Sequence, residues 1–129
     1  MPLALATVAL VVDSYDRAIA FFCGKLGFSL FSDAELGGGK RWVVVGPAGA
    51  GARLLLARAD GPQQLARVGD QTGGRVGFFL ETDDFARDHA AFLAAGVTFL
   101  EEPRHEAYGT VAVFEDLYGN RWDLIQSRP

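Results

Sequence analysis

The chain has 129 residues, of which 50% are hydrophobic and 22% are charged. This composition is typical of a globular protein and excludes a disordered or fibrous chain. The 12 basic and 16 acidic residues give a net charge of −4. Such a balance argues against a nucleic-acid-binding protein, which needs a basic surface for phosphate groups.

The sequence carries no signal for a membrane or a secretory pathway. Its longest apolar runs, such as residues 5–12, are too short to span a bilayer, and no basic stretch precedes an apolar segment at the N-terminus. The single cysteine, Cys23, excludes an intrachain disulfide and a zinc site built from several cysteines. We therefore expect a cytoplasmic protein with no membrane partner.

The first half of the chain predicts one helix among four strands. Residues 5–12 are apolar and β-branched, which indicates a strand. The polar residues 13–16 are typical of a helix start, and Gly27 is typical of a helix end. Apolar residues between them recur at helical spacing. Three more strands are predicted at 28–32, 41–45 and 53–57.

The second half repeats this order. A strand is predicted at 76–82, a helix follows Asp84 and ends at Gly96, and the remaining strands are at 97–100, 110–115 and 121–126. Adding 70 to the residue numbers aligns the first strand and helix of the two halves, with Leu10 on Leu80 and Phe22 on Phe92. The sequence predicts a single domain over 1–129, with one module at about 1–60, a connector at about 61–74 and a second module at about 75–129.

We predict an α+β fold in which two βαβββ modules form curved mixed sheets around a concave cleft, with the helices on the outside. Alternation along each strand indicates which side chains face the cleft. The polar and aromatic candidates on that face are Thr7, Arg53, Phe79, Glu81 and Asp123. Trp42 and Tyr108 are predicted to lie near this cleft or at its rim. An aromatic wall with few polar groups is typical of a small-molecule pocket.

The sequence resembles the vicinal oxygen chelate superfamily, which includes glyoxalase I, bleomycin-resistance proteins and extradiol dioxygenases. The resemblance rests on residues 11–22 with the Leu-Gly-Phe at 26–28, on 71–85 with Ala-Ala-Gly-Val at 94–97, and on the closing segment 114–124. It supports the fold strongly. It does not define one chemistry, because this superfamily contains enzymes of several classes as well as binding proteins.

In metal-using members of this superfamily, ligands come from the first and last strand of each module. The resemblance places those positions on Thr7, about Leu55, Gly77 and Asp123. Only Asp123 offers a strong anionic oxygen, whereas a transition-metal site needs about three protein donors. We therefore predict no resident cofactor. A divalent metal stays possible but disfavoured.

The titratable residues leave two catalytic candidates. His105, in the predicted loop 101–109, could act as an acid or base beside Asp123 if it pointed into the cleft. A solvated loop histidine is the alternative interpretation. The alternation of side chains along the strands places Arg53 and Asp123 at equivalent positions of the two modules. There they could form an ion pair. Alternatively, Arg53 could bind a ligand carboxylate or phosphate.

Three functions follow from these observations. The first is a small-molecule-binding protein without the usual metal, resembling the antibiotic-sequestering members of the superfamily. The second is a lyase, isomerase or dioxygenase-type enzyme with an atypical metal site or metal-free acid/base catalysis. The third is a domain that serves protein association. The superfamily resemblance also implies a homodimer, since exposed sheet edges favour pairing with a second copy.

Overall fold

The computed structural model describes residues 2–128, which form two compact units divided between Val68 and Gly69. The first unit contains β1 (Thr7–Val12), α1 (Tyr15–Gly24), β2 (Ser29–Gly37), β3 (Lys40–Gly46), β4 (Arg53–Arg58) and α2 (Pro62–Leu65). Its strands form one sheet in the order β1-β4-β3-β2. The β1 and β4 strands are parallel, and the other neighbours are antiparallel.

The core of the first unit lies between α1 and this sheet. The Ser14 hydroxyl accepts a hydrogen bond from the Arg17 amide at 3.2 Å and so fixes the start of α1. The apolar stripe of the helix, including Phe22, is buried together with Leu10 of β1 and Leu56 of β4. Burial of these alternate strand residues leaves the opposite side of the sheet for polar and aromatic groups.

The second unit repeats the strand–helix–strands order of the first from β1 to β4, with one additional strand. It contains β5 (Val76–Glu81), α3 (Phe85–Ala94), β6 (Thr98–Phe99), β7 (Arg104–Glu106), β8 (Gly109–Glu115) and β9 (Arg121–Ser127). The sheet order is β5-β9-β8-β6, and β7 pairs with β8. Parallel pairing of β5 with β9 repeats the β1–β4 pairing of the first unit.

Aromatic side chains fill the core of the second unit. The Phe114 ring is fully buried, with its centroid 5.4 Å from Phe92 and 5.8 Å from Trp122. Mid-helix His89 stacks on Phe85 at 5.2 Å and meets the Phe99 ring edge-on at 4.5 Å. These contacts make His89 part of the packing of α3.

The predicted α+β architecture with two repeated modules is confirmed. Some elements differ from the prediction. The segment 101–109 is not wholly a loop, because β7 pairs with β8. The predicted connector holds the short helix α2, and β2 extends to Gly37 instead of ending at residue 32.

The strand register also corrects one predicted equivalence between the modules. Ala9 pairs with Leu55 in the first sheet, and Phe79, 70 residues further on, pairs with Asp123 in the second. The counterpart of Asp123 is therefore Leu55. Arg53 corresponds instead to Arg121, so the prediction that Arg53 and Asp123 are equivalent was wrong.

Candidate functional site

The side of the β1–β4 sheet opposite the buried leucines of β4 is called here the first open face. Thr7 pairs with Arg53 at one end of this face, while the adjacent Leu54 is buried on the other side. The Arg53 guanidinium carbon lies 3.5 Å from the centroid of the Phe31 ring. This cation–π contact holds Arg53 across the sheet surface.

The corresponding side of the second sheet is the second open face, and its central pair is Phe79 and Asp123. These residues are register partners on β5 and β9. Their neighbours Trp122 and Leu124 are buried on the opposite side. The Phe79 side chain is 64% exposed, so it adds little to the core and presents its ring on the open face beside the carboxylate.

Asp123 carries an unusual carboxylate. Its Oδ1 atom is buried and has no hydrogen-bond partner among residues 2–128. Burial raises the pKa of this carboxyl, the Arg104 charge opposes that change, and the Glu101 charge adds to it. A buried acceptor without a donor costs free energy, and a ligand donor would remove that cost.

The cation near Asp123 is already engaged by other carboxylates. Arg104 donates to Glu101 at 2.9 Å and to Glu106 at 3.0 Å. The second Glu101 oxygen accepts the amide of Val113 at 2.9 Å, and Val113 is the β8 partner of Asp123. These two carboxylates hold Arg104 in place and compensate its charge. Asp123 is left as the acceptor with free capacity.

Of the other predicted residues of the second unit, Tyr108 interacts through its side chain with Arg104, whereas His105 lies away from Asp123. His105 pairs with Thr110 on β8, and Val113 of the same strand pairs with Asp123. Because side chains alternate along a strand, residues three apart point to opposite sides. The His105 side chain therefore lies on the other side of the sheet from Asp123. Its Nδ1 contacts the Thr110 hydroxyl at 3.3 Å. Tyr108, which is 53% exposed, lies in the turn between β7 and β8. The structure does not bring His105 to Asp123.

Glu81 lies at the end of β5, on the same side of the sheet as Phe79. It pairs with Ile125, and its carboxylate contacts the Ser127 hydroxyl at 3.5 Å. This position adds negative charge to the second open face. A ligand with a positively charged or hydrogen-bond-donating group suits that face better than an anion does.

The four family metal positions do not supply a metal site from their own donors. Thr7 offers a neutral hydroxyl, and Leu55 and Gly77 offer no side-chain ligand atom. Gly77 lies in a β-bulge, where an added Cβ would come within 2.4 Å of Thr72. Within residues 2–128, no group of three or more His, Cys, Asp and Glu side chains is placed to hold a metal ion. These residues do not fit a transition metal.

A cavity that the sequence did not predict lies at one end of the first unit. It has a volume of about 660 Å³ and is called here the hairpin pocket. Its walls are the β2–β3 hairpin, the end of β4 with the residues that follow, and Tyr15 of α1. Trp42, 46% exposed, lines it. In the sequence, this region shows only a turn of three glycines at 37–39 with polar residues on both sides. That pattern indicates a hairpin turn and does not predict a pocket.

The raised pKa of Asp123 predicts a pH-dependent effect of Asp123→Asn. The folded chain holds this proton more tightly than the unfolded chain, so wild-type stability falls as pH rises above the ordinary Asp value of 3.8. Asparagine carries no charge to desolvate. We expect the variant to be more stable than wild type at pH 7, with the difference vanishing near pH 3. Urea denaturation at both values measures this.

Asp83→Asn is the matched control, because the Asp83 carboxylate is exposed and pairs with Arg87 at the start of α3. It should give no pH-dependent gain. A destabilised Asp123→Asn chain at pH 7, or an equal difference at both pH values, would contradict the argument.

Comparison with known proteins places these features in a family. The description "Glyoxalase/Bleomycin resistance protein/Dioxygenase superfamily" matches residues 4–124. An uncharacterized protein of Shewanella frigidimarina (strain NCIMB 400) is 52% identical over 128 residues, which cover 98% of this chain and 95% of that protein.

Solved structures of similar proteins include one that is described as an antibiotic binding protein. UcmS2 is 30% identical with a TM-score of 0.83, and the match covers 97% of this chain and 98% of that one. TnmS3, an antibiotic binding protein from Streptomyces sp. CB03234, is 28% identical with a TM-score of 0.78 and 99% coverage of both chains. Among the described residues, no helix is long and apolar enough to cross a membrane.

Proposed function

The chain belongs to the glyoxalase/bleomycin resistance protein/dioxygenase superfamily, and we propose that it binds a small organic molecule without a resident metal. The observation that carries the proposal is the buried, unpartnered Oδ1 of Asp123 beside the exposed ring of Phe79. One acceptor beside an apolar aromatic surface is the usual chemistry of a small-molecule site.

The ligand that suits this pair is planar, aromatic and rich in N–H or O–H groups. Its ring would stack on Phe79. This contact would bury apolar surface and add the favourable interaction between two aromatic rings. Its donor would satisfy Asp123 Oδ1, and a protonated donor forms the stronger, charge-assisted bond. Glu81 and Glu101 add negative potential to the same face, which favours a cationic ligand over an anionic one.

The donor set supports binding over metal chemistry. Only Asp123 among the four family positions carries a carboxylate, and one carboxylate does not hold a transition metal tightly. The similarity to TnmS3, described as an antibiotic binding protein, points in the same direction. Thr7, Arg53 and Tyr108 stay predictions from the sequence as ligand contacts, and the proposal does not depend on them.

An enzyme is the second candidate function. It would use Asp123 as an acid or base, because burial keeps the pKa of this carboxyl above its ordinary value. The partner predicted for it, His105, lies on the other side of the sheet. Metal-free acid/base catalysis would therefore need a group supplied by the ligand, which makes binding the better supported function.

The proposed binding protein acts as a homodimer. In the first sheet β1 is an end strand, and in the second sheet β5 is an end strand. End strands leave backbone donors and acceptors that a second copy can pair or cover. Sedimentation equilibrium of the untagged chain tests this part of the proposal separately, and a monomer would overturn it.

Fluorescence titration with proflavine tests the binding site. Proflavine is planar and aromatic, with a protonated ring nitrogen and two amino groups. We expect saturable binding to wild type and about tenfold weaker binding to Asp123→Asn and to Phe79→Ala, the loss expected for one charge-assisted hydrogen bond or one ring contact. Asp83→Asn keeps wild-type affinity because its carboxylate is exposed elsewhere in the unit.

Two results would overturn the proposal. Proflavine binding that both site variants leave unchanged would remove the assigned site. Elemental mass spectrometry of untagged protein that finds about one metal per chain, lost in Asp123→Ala, would replace a metal-free binder with a chelating enzyme. Metal far below one per chain in both proteins supports the proposal.

A further inference from the structure

The hairpin pocket joins an aromatic wall to cationic groups within the first unit. Trp42 on β3 leaves 46% of its surface exposed. A tryptophan indole is a large apolar surface, and its exposure in a concave site marks a candidate contact for a flat ring. The cavity volume of about 660 Å³ is in the range of small-molecule sites.

Three cations line this pocket, and one of them is neutralised. Arg41 donates to Asp16 at 2.9 Å and to Asp33 at 2.8 Å. The same guanidinium lowers the pKa of Asp33 through that hydrogen bond. Arg41 is therefore committed to the packing of α1 and β2, and we assign it no ligand.

The other two cations, Lys40 and Arg58, form no ion pair within 4.0 Å in the part of the chain that the structure describes. The Arg58 guanidinium carbon lies 5.3 Å from the centroid of the Tyr15 ring. Arg58 Nη2 would lie 3.3 Å from a Cβ built on Gly39. Arg58 is thus held between an aromatic ring and a glycine turn, with its charge uncompensated.

We infer that the hairpin pocket binds an aromatic carboxylate. Its ring stacks on Trp42, and its carboxylate accepts hydrogen bonds from Arg58 and Lys40. A planar guanidinium fixed by a neighbouring ring matches the two oxygens of a carboxylate. The chain as a whole is acidic, with a net charge of −4, so a local pair of uncompensated cations distinguishes this pocket for an anion.

Asp60 lines the same pocket, and its negative charge is expected to oppose binding of an anion there. Its backbone amide donates to Gln64 Oε1 at 2.8 Å, and its carboxylate forms no ion pair with either cation among residues 2–128. A negative charge on a residue that lines the cavity weakens binding of an anion. Removal of this charge should therefore strengthen it.

Isothermal titration with 2-naphthoate tests the inference. We expect saturable binding to wild type that weakens with added salt. Arg58→Gln and Trp42→Leu should each lose about tenfold or more in affinity, and Asp60→Asn should gain. Lys25→Gln, which removes an exposed cation at the end of α1, keeps wild-type affinity and controls for net charge.

The charge requirement is tested with a neutral isostere. The amide 2-naphthamide has the same ring, and we expect it to bind at least about tenfold more weakly than naphthoate. Equal binding of acid and amide, or naphthoate affinity that Arg58→Gln leaves unchanged, would overturn the inference. No heat of binding at about 5 mM naphthoate would overturn it as well. This experiment uses no Asp123 variant. A failure to bind naphthoate would therefore not contradict the proposed proflavine site at Asp123.

Discussion

Replacing Asp116 with alanine is expected to destabilise the chain by about 3–4 kcal/mol, the cost of leaving several buried donors without their charged acceptor. Asp116 is 5% exposed and lies in the turn between β8 and β9. Its Oδ1 accepts the amides of Tyr118 and Asn120 at 2.9 and 3.0 Å. Its Oδ2 accepts Asn120 Nδ2 at 3.0 Å and Trp122 Nε1 at 3.1 Å.

Guanidinium denaturation followed by tryptophan fluorescence measures this loss. Asp116→Asn should be nearly as destabilised as the alanine variant, because its amide nitrogen would face donors instead of accepting from them. Asp83→Ala removes an exposed carboxylate of the same unit and should change the midpoint little. A loss below about 1 kcal/mol for Asp116→Ala would mean that water replaces the carboxylate in the turn.

The predicted fold followed from features that act over short stretches of sequence. Helix starts at Ser14 and Asp84, glycine stops and apolar periodicity were all local, and the repeat at an offset of 70 fixed their order. The same reasoning predicted which strand residues face away from the core. The alternation of side chains predicted that Phe79 and Asp123 lie on the same side of the second sheet, and the register pairs these two residues.

The side-chain details of the candidate site could not be predicted in the same way. His105 lies on β7, a strand of three residues that is too short to show a period of two. The free oxygen of Asp123 depends on Arg104 being engaged by Glu101 and Glu106, which is a matter of competing partners in three dimensions.

Long-range placement also explains the two features that were missed. The four hydrogen bonds of Asp116 require the turn to close on Trp122, and the sequence showed only a Gly-Asn turn there. The hairpin pocket depends on β2 reaching Gly37, five residues beyond its predicted end. The register of β2 shifts between Leu30 and Ser32, which interrupts the alternation of side chains, and polar residues near the end of the strand hid the strand pattern.

Replacing Gly109 with alanine should cost the second unit about 3 kcal/mol or more, because backbone would have to move. Gly109 begins β8 with a φ of 152°, and a Cβ built there lies 2.2 Å from the carbonyl oxygen of Gln126 on β9. Its amino-terminal neighbour Tyr108 accepts the Arg128 amide at 2.9 Å. A shift of Gly109 would therefore disturb the pairing of β8 with the end of β9.

Gly73→Ala separates this steric effect from backbone strain. Gly73 also has a positive φ, 68°, but nothing lies within 4 Å of its built Cβ, so its replacement should cost only about 1 kcal/mol. Denaturation midpoints of both variants give the comparison, and amide exchange of Thr110 and Gln126, which are β8–β9 partners, should increase in Gly109→Ala alone. Equal losses for the two variants would show that φ, and not the contact with Gln126, makes glycine necessary at Gly109. Together with the Asp116 series, this comparison tests both ends of the hairpin that carries Asp123.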